Sequence, residues 1–115
     1  MRNHKENVIV AKSLQFAIEI VKFSEKLEGE KKFAIARQLL KSGTLIGANV
    51  REAQNAKSKA DFIHKLKIAS KEADETDYWL LLCKLSESYP YDEQIHQHLI
   101  ELIKILSKII STSKQ

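Results

Sequence analysis

The chain has one proline, three glycines and one cysteine in 115 residues. So few breakers leave long uninterrupted elements and few turns. A lone cysteine excludes an internal disulfide and points to a reducing, cytoplasmic setting. No window of ~18 uncharged apolar residues occurs, which excludes a membrane-spanning helix. The opening stretch, MRNHKENVIVAKS, has neither a long apolar core nor a small-residue cleavage site, so no secretory signal is expected. Catalytic constellations are missing too, and no cofactor is expected.

What is present is apolar rhythm. Hydrophobic residues make up 43% of the chain, enough for one domain over residues 1–115 with a core of its own. The central stretch sets the pattern. Phe62, Leu66, Ala69, Ala73, Thr76, Leu80 and Cys83 recur at alternating spacings of four and three, the seam of a helix packed on other helices. Leu39, Gly43, Ile46, Val50 and Ala53 repeat the rhythm upstream. Gly43 and Gly47 lie one turn apart near that seam. Each costs roughly 1 kcal/mol against alanine inside a helix, so a closely approaching neighbour is expected there, with a kink as the alternative.

Four helices are predicted, at about 8–27, 31–56, 58–88 and 91–111. Met1–Glu6 reads as a frayed start, and Asn7 is the expected N-cap of the first helix. Gly29 is expected to end that helix in the left-handed conformation. Ser58 and Asp61 form a Ser-x-x-Asp variant of the capping box. Tyr89-Pro90 ends the third helix, and Asp92 acidifies the first turn of the fourth. Connections this short make each helix reverse on its predecessor. The expected fold is all-α, an antiparallel up-down-up-down four-helix bundle.

The first and fourth helices and the end of the third carry more apolar surface than one bundle core uses, the fourth most of all. Ile95, Leu99, Leu102, Leu106 and Ile109 form its seam, while Ile100, Ile103, Ile105 and Ile110 widen it. A homo-oligomer burying a second apolar face is therefore expected.

Charge is uneven. Net charge is +4, with a pI near 9.2. Lys57, Lys59, Lys65, Lys67 and Lys71 fall within one short run containing a single acid, Asp61, and Arg51 precedes them. These six residues are the candidate nucleic-acid-binding set, acting by sequence-independent neutralisation of phosphates on RNA or DNA. No aromatic residue is interleaved among the lysines, so no stacking platform for single strands is expected.

Other clusters read as structural. Glu72, Glu75 and Asp77 lack a nucleophile or oxyanion donor beside them and are expected to pair with helix 2 near Arg37, Lys41 or Ser42. Asp61-x-x-His64 and Glu93-x-x-His96 imitate half of a di-iron motif. They belong at opposite ends of the bundle, so no metal site is expected. His96 and His98 point to different faces, Cys83 is a small core residue, and Ser42 and Asn49 are expected to fix register through buried polar contacts.

Ser42–Ala53 and Ser58–Leu80 resemble the signature of the bacterial four-helix-bundle proteins named for intervening sequences in 23S ribosomal RNA genes. Members carry a Ser-Ile-x-x-Asn-Ile-x-Glu element, here Thr44-Leu45-Ile46-Gly47-Ala48-Asn49-Val50-Arg51-Glu52. A Ser-x-x-(Asp/Glu)-Phe helix start follows, here Ser58 to Phe62, then a Glu-x-(Glu/Thr) element, here Glu75-Thr76-Asp77. Arg51 and Ala53 depart from the commoner Ala and Gly. The resemblance implies a bundle assembling into a ring, a homopentamer. Relatives among the accessory proteins of diversity-generating retroelements imply a basic scaffold that engages nucleic acid and a reverse transcriptase. Two functions are thus in view: a non-enzymatic nucleic-acid-binding scaffold, and an adaptor ring docking a partner enzyme.

Overall fold

The structure, a computed structural model, describes the backbone of residues 4–114 and side chains from residue 7 to residue 114. Four helices follow in order: α1 (His4–Gly29), α2 (Phe33–Ala53), α3 (Lys59–Leu85) and α4 (Glu93–Ser113). α1 packs on α2, α2 on α3, α3 on α4, and α4 back on α1, with no close backbone approach between diagonal helices among the described residues. The bundle measures 46 × 19 × 19 Å, close to the ~40 Å that 27 helical residues span at 1.5 Å each.

The expected seams are the core, apart from Phe62, which is half-buried against its edge. Leu39, Gly43, Ile46, Val50 and Ala53 of α2 are buried, as are Leu66, Ala69, Ala73, Thr76, Leu80 and Cys83 of α3 and Ile95, Leu99, Leu102, Leu106 and Ile109 of α4. From α1 come Ile9, Phe16, Ile20, Phe23 and Leu27. Each buried Val, Leu, Ile or Phe among them contributes roughly 1.5–3 kcal/mol on leaving water. Burial of Cys83 pushes its thiol up to about 11, as expected of a core residue.

The two helical glycines mark a close approach and no kink. A Cβ on Gly43 would stand 2.8 Å from the Ile20 side chain, and one on Gly47 would stand 3.2 Å from the Ser13 carbonyl oxygen. Glycine here lets α1 and α2 come together at backbone distance. Between α2 and α3, the Ser42 and Thr76 hydroxyls meet at 2.8 Å inside the core, and Thr76 also reaches the Glu72 carbonyl at 2.8 Å. With Ser42 donating to Thr76 and Thr76 to the carbonyl, both hydroxyls are satisfied. Asn49 does not bridge helices, because its amide donates to the Leu45 carbonyl one turn back.

Helix ends differ from the expectation in instructive ways. Asn7 is no cap, since α1 is already helical at His4; of the stretch expected to fray, Met1–Asn3 lies outside the described residues. Gly29 is the last helical residue and has no positive φ; the left-handed residue is Lys31, at φ 64°. Lys32 N–H donates to the Leu27 carbonyl (2.8 Å) and Lys31 N–H to that of Glu28 (2.9 Å), the paired bonds of a Schellman turn. α2 stops at Ala53 because the N–H groups of Gln54, Asn55 and Ala56 bond three residues back, tightening the chain out of the α-helix. Ser88, at φ 64°, follows the end of α3 at Leu85, ahead of the proline. Asp92 is the N-cap of α4, accepting from Ile95 N–H at 3.0 Å.

The surplus apolar surface lies on α1 and the end of α3, as expected, but not on α4. The extra isoleucines of α4 are half-buried, because α4 is flanked by α1 and α3 and uses a wide arc. The exposed large apolar residues are Leu14, Ile18 and Val21 of α1, Phe33 and Leu40 of α2, and Tyr78, Leu81 and Leu85 of α3.

Candidate nucleic-acid interface

The basic residues sit where α2 turns into α3. Ser58 caps α3, its hydroxyl accepting from Asp61 N–H at 3.0 Å, and the Asp61 carboxylate accepts from Lys57 N–H at 3.4 Å. This is the anticipated box with its second bond moved one residue outward. It fixes the turn and leaves the Lys57 and Lys59 side chains exposed at its tip, with Arg51 exposed on the last turn of α2.

Apart from Lys57 at the tip, the candidates divide over three sides. Arg51 and Lys59 line a groove between α1 and α2 together with Ser58, Gln54 and Asn55. Lys65 faces α2, where its Nζ meets Glu52 at 3.2 Å. Lys67 and Lys71 are exposed one turn apart on the outer face of α3, preceded one turn earlier by exposed His64. An exposed pair such as Lys65–Glu52 is worth ~0–1 kcal/mol, so Glu52 partly neutralises Lys65 without fixing it.

Two of the acids expected to reach helix 2, Asp77 and Glu75, make other contacts. Asp77 Oδ1 lies 2.6 Å from His96 Nε2 of α4, and Tyr91 Oη lies 2.7 Å from His96 Nδ1. Glu75 accepts from the Trp79 indole at 3.4 Å. The Asp77–His96–Tyr91 line has the form of a proton relay. The phenol is nonetheless raised from its ordinary pKa, first by burial and then by Glu93, with Asp77 and Asp92 adding to it. Through these contacts the line fastens the α3–α4 connection to both helices. His98 makes a second couple: its Nδ1 lies 2.8 and 3.0 Å from the two Glu19 oxygens of α1. The sequence reading placed the two histidines on different faces and missed both carboxylate partners. They lie 19 and 79 residues away, beyond the reach of any local spacing rule. Among the described residues no group of three or more His, Cys, Asp or Glu side chains is arranged to hold a metal ion, and no helix is long and apolar enough to cross a membrane.

Comparison with known proteins places this geometry. The family model for 23S rRNA-intervening sequence protein matches residues 5–112. A crystal structure of a protein of unknown function from the S23 ribosomal protein family of Bacteroides thetaiotaomicron is 48% identical in sequence. It superposes with a TM-score of 0.88, covering 93% of this chain and 98% of that one. The curated proteins supply no match.

Proposed function

The chain belongs to the 23S rRNA-intervening sequence protein family, and from that premise we propose that it is a non-enzymatic, self-assembling scaffold that binds RNA or DNA through the basic surface of α2 and α3. The observation that carries this is Lys67 and Lys71 exposed one turn apart, with Lys57, Lys59 and Arg51 at the adjoining turn. Such charges neutralise successive phosphates and read no base edges. Assembly would multiply a modest contact per copy into an avid one. A ring of five, implied by the family resemblance, is part of the proposal.

Gel shifts over a salt series test it. Binding at low salt should weaken as salt rises, and Lys67→Ala with Lys71→Ala should flatten the log–log salt slope by about one to two. Absence of binding to any RNA or DNA at low salt, or binding indifferent to these lysines, refutes it. The second reading is an adaptor docking a partner enzyme such as a reverse transcriptase. The exposed apolar side chains favour it, and co-purification of that enzyme in the absence of nucleic acid would select it.

A further inference from the structure

The groove beside the α2–α3 turn holds more than charge. It has a volume of about 1380 Å³, and among the described residues no acidic side chain lines it. Arg51 and Lys59, two of the basic candidates, line it at the turn. Phe62 lines it as well. Spacing assigns Phe62 to the α3 seam, yet its ring is only half-buried where it packs against the core. Two amides complete the lining. Asn55 is exposed. Gln54 donates from Nε2 to the Val50 carbonyl at 3.0 Å, while its Oε1 is buried without a partner. An orphaned buried acceptor carries a cost that a ligand's donor removes. The amide reaches a ligand by turning about its last side-chain torsion, which is soft.

An aromatic ring, amides with both donors and acceptors, and two cations beside them match the three parts of a nucleotide: base face, base edge and phosphate. Only an unpaired nucleotide offers all three, because in a duplex stacking covers the face and pairing occupies the edge. Lys67 and Lys71 stand apart, on the outer face of α3, where they meet the backbone of any nucleic acid alike. We propose that the groove takes an unpaired nucleotide of an RNA or DNA strand, its base on Phe62, its edge at Gln54 and Asn55, and its phosphate at Arg51 and Lys59. This site rests on the nucleic-acid reading above and gives it a preference for unpaired tails that charge alone does not supply.

Two short duplexes test it, alike except at one end and each made in RNA and in DNA form. One ends in an unpaired tail. The tail of the other keeps its phosphates but lacks its bases, so the charge is equal. Fluorescence anisotropy at fixed salt should show the parent chain binding the complete tail about tenfold more tightly in at least one form, within what one stacked base contributes. Phe62→Leu should lose that preference, and so should Gln54→Met combined with Asn55→Ala, each leaving affinity for the base-less tail unchanged. Circular dichroism should show the parent helicity in both; if Phe62→Leu does not fold, the amide variant decides. Lys67→Ala with Lys71→Ala should weaken both duplexes equally and keep the preference. Equal affinity of the parent for the two tails in both forms, or a preference that survives either folded groove variant, overturns the groove site. A parent chain that binds neither duplex sinks the nucleic-acid reading itself, and the groove site with it.

Discussion

Lys31 holds a backbone conformation that costs a non-glycine residue roughly 1–2 kcal/mol, and glycine stands two residues too early to relieve it. Lys31→Gly should therefore stabilise the fold by about 1 kcal/mol, seen as a higher urea midpoint at unchanged slope. Gly43 is the converse case. Alanine would favour the helix by roughly 1 kcal/mol, yet its Cβ would stand 2.8 Å from a branched, fully buried Ile20. Overpacking of that kind costs about 1–3 kcal/mol, so Gly43→Ala should lose about 1 kcal/mol net in the same urea titration. The sequence alone called for a close neighbour at these glycines, because two one turn apart needed a reason. It did not identify Lys31, because φ at a turn is set by how the next helix docks and lysine carries no mark of it.

Between elements, the buried contact to probe is Ser42 with Thr76. Thr76→Val leaves the Ser42 hydroxyl buried without a partner and should cost about 1–3 kcal/mol. Ser42→Ala leaves Thr76 its carbonyl on Glu72 and should cost less, about 1 kcal/mol. The double variant should fall short of the sum, and additivity in the thermodynamic cycle would show that the two hydroxyls are not coupled. Ser42 was legible as a buried register residue because it flanks the α2 seam; Asn49 misled, because an asparagine seven residues on satisfies itself against its own helix. Seams were legible residue by residue, since period carries that information. Helix ends were legible only where a capping residue marks them, as Ser58 does for α3; the three-residue hydrogen bonds after Ala53 depend on geometry that apolar rhythm does not encode.

At the scale of the whole molecule, the exposed apolar side chains decide the account. Leu85 is 72% exposed and Leu14 59%, on surfaces that a soluble single chain has reason to cover. Surplus apolar surface was readable from the wide arcs of α1 and of the end of α3. It was misassigned for α4, whose arc is spent on two flanking helices. Of the candidate interface, charge content was legible and its division over three sides was not, because Lys65 and Lys67 differ by ~200° around one helix and Glu52 claims the former. The measurement that bears most directly on the central claim is the mass of the purified chain in solution across a concentration series. The account predicts a defined multiple of 13.2 kDa that persists on dilution into the low micromolar range; a single 13.2 kDa species even at high concentration would contradict it.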